Sequence, residues 1–225
     1  MFSGFTDKSF EFLMAISFNN NREFFADNHA WYVNSVREPL KELAYELADT
    51  IEQIDPELER RPEKVVSRLN RDLRFSKDKS PYRDHMWIGY HAQRDDKHYR
   101  PEFYFALTPY EAFCGMGFYL ENREVMDIHR QWLLNHPDGM EVLVPKGFDF
   151  EMTCYKRMSV PEELSPEGKR WYPLKHFAAE HRIDDFSLLG NAALVSYIKE
   201  SFLELTPLYA HFARIAAQAQ PVHTP

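Results

Sequence analysis

The spacing of apolar residues changes twice along the chain, and this change constrains the fold more than any other feature. Leucine and isoleucine recur at three- and four-residue steps over residues 40–54, which is the spacing of an amphipathic helix. Apolar and other residues alternate over 86–90 and 103–107, as in half-buried strands, and helical spacing returns over 194–215. Helices at both ends with neighbouring strands between them predict an α+β fold, in which a central, mostly antiparallel sheet packs against N-terminal and C-terminal helices.

Helix-breaking residues predict where several elements begin and end. Thr6 or Asp7 can cap a first helix, three asparagines at 19–21 end it, and Pro39 suits the first turn of a later helix. Further predicted elements are a second helix over 24–36, a hairpin over 103–119, a helix over 125–134, short strands at 142–144 and 148–154, a loop with short helical pieces over 159–185, and a last helix broken or kinked at Pro207. Gly115 and Gly117 share a face of the hairpin's second strand, which indicates a bulge or the close approach of a backbone or ligand.

The length of 225 residues predicts one domain over residues 1–217 and a frayed tail over 218–225, although two domains would also fit. A chain of this size buries about 70% of its unfolded surface, so it needs neither disulfide nor metal to fold. The two cysteines, Cys114 and Cys154, could form one disulfide, but two buried thiols are the favoured interpretation.

The composition disfavours several classes of partner. The net charge is −8, which disfavours a broad surface for nucleic acid or anionic lipid, although a local contact with nucleic acid stays open. The first residues show no signal-peptide pattern, and no run approaches the roughly 18 apolar residues that span a bilayer. We therefore expect a cytoplasmic protein without a membrane segment; the sequence does not determine its oligomeric state.

One segment, residues 68–83, stands apart from this acidic background and is here called the basic motif. It contains six cations and two anions, a net charge of +4, so the other residues together carry −12. The cations are Arg68, Arg71, Arg74, Lys77, Lys79 and Arg83, and the anions are Asp72 and Asp78. Guanidinium groups bind carboxylate or phosphate oxygens in a bidentate manner, and lysine adds a mobile point charge. The motif therefore fits a small anionic ligand.

The backbone conformation decides which side chains of the motif act together. In a helix, Arg68, Arg71 and Asp72 would share a face. In an extended segment, Arg68 would share a face with Asp72 and Arg74, and Arg71 would point away. The two valines at 65–66 favour the extended alternative.

The same residues carry a resemblance to a known family. The pattern Arg68-x-x-Arg71-Asp72-x-Arg74-Phe75, followed by Asp78-Lys79-x-x-Tyr82, resembles the hallmark of the bacterial and fungal family called domain of unknown function 2461. The FLMAISFNNNREFF opening and the FYFALTP…GMGFY hairpin are also similar to that family, so the resemblance extends over nearly the whole chain. It implies no particular reaction, cofactor or substrate.

Two hypotheses about function follow from the basic motif. In the first, the site binds a small, phosphate-bearing anion through Arg68, Arg71, Arg74, Lys79 and Tyr82, and if turnover occurs, Asp72 or Asp78 is the acid or base. In the second, the motif is a structural network of ion pairs in a non-enzymatic interaction protein. Whether the protein is an enzyme stays open.

Metal chemistry is disfavoured. His85, His91 and His98 recur around the first predicted strand, but no His-Glu-x-x-His or paired-cysteine spacing accompanies them. We therefore predict no metal site, and the sequence specifies no cofactor.

Overall fold

The structure is a computed structural model that describes residues 1–74, 77–93 and 99–219. Its helices are α1 (Asp7–Phe18), α2 (Arg22–Asp27), α3 (His29–Tyr32), a π-helical turn (Val33–Arg37), α4 (Glu38–Ile54), α5 (Pro62–Val65), α6 (Arg123–Asn135), a 3-10 turn (Gly139–Val142), α7 (Pro166–Trp171), α8 (Phe186–Leu189) and α9 (Ala193–Ala219). Its strands are β1 (Met86–Tyr90), β2 (Glu102–Leu107), β3 (Ala112–Gly117), β4 (Asp149–Cys154) and β5 (Leu174–Ile183).

The strands form one antiparallel sheet in the order β1-β2-β3-β5-β4, which confirms the predicted α+β class. Along the β4–β5 pair, Asp149 lies opposite Glu180 and Phe150 opposite Ala179, and the register shifts between Thr153 and Cys154. None of the helices in the described residues combines the length and the apolar character that a membrane span requires.

The chain divides into two compact units, each with its own apolar interior. Unit 1 comprises Met1–Tyr90, Tyr104–Cys114 and Arg182–Glu200; unit 2 comprises His91–Phe103, Gly115–His181 and the chain from Ser201 onward. The prediction of a single domain over 1–217 stays a prediction. The predicted frayed tail lies outside the described residues, except for 218 and 219, which belong to α9.

In unit 1 the predicted stripe of α4 is the core-facing side of that helix. Leu40, Leu43, Leu47 and Ile51 are fully buried. The helix contacts β1, where the Tyr90 hydroxyl donates to the Ala44 carbonyl at 3.1 Å.

In unit 2 the C-terminal helix packs on the sheet through aromatic rings. Phe103 of β2 lies 5.0 Å from Phe202 and 5.0 Å from Tyr209 of α9, measured between ring centroids. Phe177 of β5 lies 5.1 Å from Phe212. Helices from both ends of the chain therefore cover the sheet, as the periodicity predicted.

Two predictions about strands were wrong. Residues 139–142 form a 3-10 turn rather than the start of a strand, because Val142 is 82% exposed and has no apolar face to bury. Residues 174–183, predicted to be loop, form the longest strand, β5. Its buried positions include Phe177 and Ala179, but the charged residues and histidines on both sides of this pair hide the period-2 pattern.

Of the two alternatives predicted at Pro207, the break is wrong, because α9 continues through this residue, and the kink stays a prediction. Proline in a helix interior costs about 3 kcal/mol, and buried neighbours on both sides, Leu205 and Leu208, offset this cost. The close-approach alternative for the two glycines is confirmed: a Cβ atom on Gly115 or Gly117 would clash with the carbonyl oxygens of Ala179 or Phe177. Both cysteines are free thiols, Cys114 buried and Cys154 half-buried.

Candidate functional site

The start of the basic motif is extended, as the valines at 65–66 favoured. After α5 ends at Val65, the chain pairs antiparallel with β1 and with the segment that precedes it, through isolated bridges at Val66–Ile88 and Asn70–Tyr82. The Arg71 amide donates to the Pro81 carbonyl at 2.9 Å, and the Arg83 amide donates to the Leu69 carbonyl at 2.8 Å. The two sides of the motif are thus held together by backbone hydrogen bonds.

A side chain from the turn after α1 closes this pairing. The Asn20 Oδ1 atom accepts from the Tyr82 amide at 2.9 Å, and Asn20 Nδ2 donates to the Tyr82 carbonyl at 2.9 Å. The Tyr82 ring is 7% exposed and lies 4.5 Å from the ring of Phe25. Asn20, predicted only as a helix breaker, therefore positions the motif.

Most cations of the motif contact groups within the motif itself. Arg71 forms an ion pair with Asp78, and Arg74 Nη2 lies 2.6 Å from Asp72 Oδ2. Lys79 Nζ donates to the Leu73 carbonyl at 3.0 Å. Arg83 donates to the carbonyls of Arg68 and Asn70 at 2.9 and 3.0 Å. These contacts are the kind that the structural-network hypothesis requires, although all four ionic groups of the two pairs are accessible to solvent.

The two predicted catalytic carboxylates lie together in a polar pocket of about 460 Å³. Besides Asp72 and Asp78, the pocket is lined by Arg71, Arg83, Asp84 and His85. The side-chain hydrogen bond from Arg74 lowers the pKa of Asp72 to about 2. The Ser80 amide and hydroxyl, followed by Arg71, lower the pKa of Asp78 to about 2. Both carboxylates are ionised at neutral pH, which suits an orienting group better than a proton donor.

Arg68 lies in a different pocket from Arg71, Asp72 and Asp78, and the other predicted residues, Arg74, Lys79 and Tyr82, line neither of the two. It is exposed, and its guanidinium group forms no ion pair or hydrogen bond with residues 1–74, 77–93 or 99–219. It lines a cavity of about 380 Å³, here called the Arg68 pocket, a volume within the range of about 300–1,000 Å³ for small-molecule sites. Tyr82 does not line this pocket; it packs behind Phe25, which does.

The Arg68 pocket combines cations with apolar and aromatic walls. Its charged lining residues are Arg37, Lys41, Glu63 and Arg68, so three cations face one anion. Its apolar and aromatic lining residues are Phe25, Tyr32, Pro62, Val66 and Leu69. The cations are only partly neutralised, because Lys41 Nζ lies 3.8 Å from Glu63 and 4.0 Å from Glu38. Arg37 is engaged with Glu38 through Nε and Nη2, at 3.0 and 2.8 Å.

A π-helical turn brings two of these lining residues together. The Glu38 amide donates to the Val33 carbonyl, five residues earlier instead of the four of an α-helix. Pro39 explains the widening, because it has no amide hydrogen for the Ser35 carbonyl and its ring clashes with that carbonyl. A backbone hydrogen bond between residues i and i+5 brings side chains five positions apart onto the same side of the helix. Tyr32 and Arg37 therefore share a face. At about 100° per residue, an α-helix would separate them by about 140°.

Sequence reasoning missed this part of the site. Residues 24–36 were predicted to form one helix, whereas they form α2, α3 and most of the π turn. Pro39 was the available signal, but it was interpreted only as the start of α4.

Tyr32 is the most buried polar residue in the Arg68 pocket. It is 5% exposed, and burial raises the pKa of its phenol to about 12. Its hydroxyl has no hydrogen-bond partner within the described part of the chain. A neutral phenol at the wall of a pocket is a donor available to an anion.

A metal centre has no support in the described ranges, which contain no group of three or more histidine, cysteine, aspartate or glutamate side chains able to hold an ion. Of the three histidines near the first strand, His98 lies outside the described residues.

Comparison with known proteins connects the whole arrangement to one family. Comparison with curated proteins gave no match. The family described as conserved hypothetical protein (DUF2461) matches residues 8–211, a range that includes the turn with Asn20, the π turn, the basic motif and most of α9. The chain belongs to the DUF2461 family.

Proposed function

We propose that this chain is a cytoplasmic protein that binds a small, phosphate-bearing anion in the Arg68 pocket. The observation that carries the proposal is the Arg68 guanidinium group, which is exposed at the pocket and has no ionic partner among the described residues. A guanidinium fork with both edges available matches the geometry of phosphate oxygens.

The electrostatics of the pocket support this choice of ligand. Arg37, Lys41 and Arg68 outnumber the lining carboxylate of Glu63 even when Glu38, which pairs with Arg37 and Lys41 from outside the lining, is included. The ion pairs of Lys41 are long, at 4.0 Å to Glu38 and 3.8 Å to Glu63, so an anion can recruit Lys41 without breaking a short contact. Apolar walls also lower the local dielectric constant, which strengthens each charge–charge interaction.

The other predicted ligand residues have a supporting role in this proposal. Arg71, Arg74 and Lys79 fix the conformation of the basic motif through their contacts inside it, and Tyr82 supports the ring of Phe25. Direct contacts from Arg71, Arg74, Lys79 or Tyr82 to a ligand, and turnover through Asp72 or Asp78, stay predictions.

Phosphate binding tests the proposal. We expect inorganic phosphate to raise the melting temperature of the natural chain, because a ligand that binds only the folded state stabilises it. Arg68→Ala should weaken phosphate binding about 10- to 100-fold, since hydrogen bonds to charged groups contribute about 1.5–3 kcal/mol. Isothermal titration calorimetry at constant ionic strength measures the affinity.

Arg123→Ala is the matched control. Arg123 is 83% exposed on α6 in unit 2, so its substitution removes the same charge far along the chain from the pocket residues and should leave binding unchanged. An Arg68→Ala variant that binds phosphate as tightly as the natural chain would contradict the proposal.

A second candidate is the interaction protein in which the basic motif is purely structural, favoured by the contacts of Arg71, Arg74, Lys79 and Arg83 within the motif. It predicts that Arg71→Ala strongly destabilises the fold and that no anion raises the melting temperature. Folded Arg71→Ala protein that still binds phosphate would rule against it.

A further inference from the structure

We infer that the ligand of the Arg68 pocket carries its anionic group on a flat aromatic ring, and that the Tyr32 hydroxyl donates to the anion. This inference rests on the proposed function, because it specifies the chemical class of the anion bound there. It depends on the composition of the pocket walls, which a site for bare phosphate would not need.

The apolar wall is the first argument. Phe25 lines the pocket, and its ring is held by edge contacts to His29 at 5.4 Å and to Tyr32 at 5.6 Å. Tyr82 supports it from behind at 4.5 Å. A ring fixed in this way can bind a second aromatic ring in an offset or edge-on geometry, which stabilises more than area burial alone.

The arrangement of polar groups is the second argument. The π turn places Tyr32 and Arg37 on one face, and Arg68 lines the same cavity from the extended start of the basic motif. Two guanidinium groups and a phenol therefore line a cavity that also has an aromatic wall. Small-molecule sites have this composition, mostly apolar with a few convergent polar groups.

The Tyr32 hydroxyl is the third argument. The side chain is 5% exposed, yet its hydroxyl oxygen is not among the fully buried atoms, and it has no partner in the described ranges, so it is accessible to a ligand in the pocket. Burial raises the pKa of Tyr32 to about 12, so the phenol is protonated at neutral pH. It can therefore donate a hydrogen bond to an anionic oxygen.

The test compares two phosphate monoesters that differ only in the organic group attached to the phosphate. Phenyl phosphate and methyl phosphate are both dianions at pH 8, well above the second pKa of about 6. We expect the natural chain to bind phenyl phosphate at least about tenfold more tightly than methyl phosphate, because the ring is buried against Phe25. Titration calorimetry measures both affinities.

Two variants assign the preference to residues. Phe25→Leu keeps an apolar wall but removes the aromatic ring. The affinity for phenyl phosphate should therefore fall toward the affinity for methyl phosphate, and the affinity for methyl phosphate should not change. Tyr32→Phe removes only the hydroxyl group and should lower the affinity for each of the two ligands by about three- to tenfold. Phe18→Leu, at an aromatic residue of α1 that is 76% exposed, is the control and should change neither affinity.

The outcomes separate this inference from the proposed function. If methyl phosphate binds as tightly as phenyl phosphate to the natural chain, the pocket binds anions without an aromatic body, and the inference fails while the function stands. If neither ligand binds, both fail. Because the ligand comparison uses the natural sequence, it decides the question even if Phe25→Leu does not fold.

Discussion

At the scale of single residues, Asn20 shows how a local signal can hide a long-range role. An asparagine after a helix predicts a turn, and Asn20 does follow α1. Its amide group, however, also replaces a strand partner for Tyr82 by accepting from the Tyr82 amide and donating to the Tyr82 carbonyl. The basic motif is therefore anchored by one side chain that lies sixty-two residues earlier in the chain.

Substitution of Asn20 should destabilise the fold. Asn20→Ala leaves two backbone groups of Tyr82 without their partners, so we expect the free energy of unfolding to fall by about 1–3 kcal/mol. Asn19→Ala is the control, because Asn19 makes only an exposed contact to the Ala15 carbonyl at 3.1 Å. Urea denaturation measures both, and equal losses for the two variants would show that Asn20 has no special role.

At the scale of elements, the π turn links one proline to the geometry of the Arg68 pocket. Pro39 cannot donate to the Ser35 carbonyl, and the turn widens at that point. Since the widened turn aligns Tyr32 with Arg37, the position of the proline determines which side chains line the cavity.

Pro39→Ala should therefore change binding more than stability. Alanine can restore the i to i−4 hydrogen bond, which would rotate Arg37 away from Tyr32 and weaken phosphate binding several-fold, while the free energy of unfolding should change by only about 1 kcal/mol. Calorimetry measures the affinity, and NMR backbone shifts over residues 33–39 report the turn. Pro166→Ala, at the start of α7, is the matched control. An altered turn with unchanged affinity would contradict the argument.

The elements also show what the sequence could and could not predict. The stripe of α4 and the alternation of β1 were predicted correctly, because each has one fully buried face. The strand β5 was missed because its outward positions carry Lys175, Glu180 and Arg182, and a polar stretch with prolines before it is typical of a loop.

The sequence predicted where the basic motif lies but not which of its residues face the pocket. The spacing of the cations identified the basic motif, but spacing does not determine which cation meets which carboxylate. Arg71 and Arg74 pair inside the motif, whereas Arg68 faces the pocket formed with Tyr32 and Arg37. Residues more than thirty positions apart come together only through tertiary packing, and one sequence contains no direct signal for that contact.

At the scale of the whole molecule, buried histidines should determine how stability depends on pH. In unit 2, His129 Nδ1 lies 3.1 Å from His211 Nε2, and both rings are almost fully buried. Burial, followed by Arg214 and His136, lowers the pKa of His211 to about 4. Burial, followed by His211 and Arg130, lowers the pKa of His129 well below its usual value.

Acid should therefore destabilise the protein before its carboxylates titrate. In the unfolded chain His211 binds a proton below about pH 6.5, whereas in the folded protein it stays neutral down to about pH 4. The unfolded state therefore binds more protons between these two pH values, and the free energy of unfolding falls as the pH is lowered through this window. The expected loss from His211 is about 2–3 kcal/mol by pH 4.5. Denaturation of the natural chain and of His211→Gln between pH 7 and 4.5 measures it; a slope that His211→Gln leaves unchanged would refute the assignment.

The charge distribution of the basic motif also affects the rate at which an anionic ligand would associate with the protein. Among the described residues, ion pairs neutralise only two of the motif's six cations, so the motif keeps a local charge of +4 on a chain whose net charge is −8. An approaching anion is therefore repelled at long range and attracted only within about a Debye length of the motif, so its association should be slower than that of a ligand attracted by the net charge.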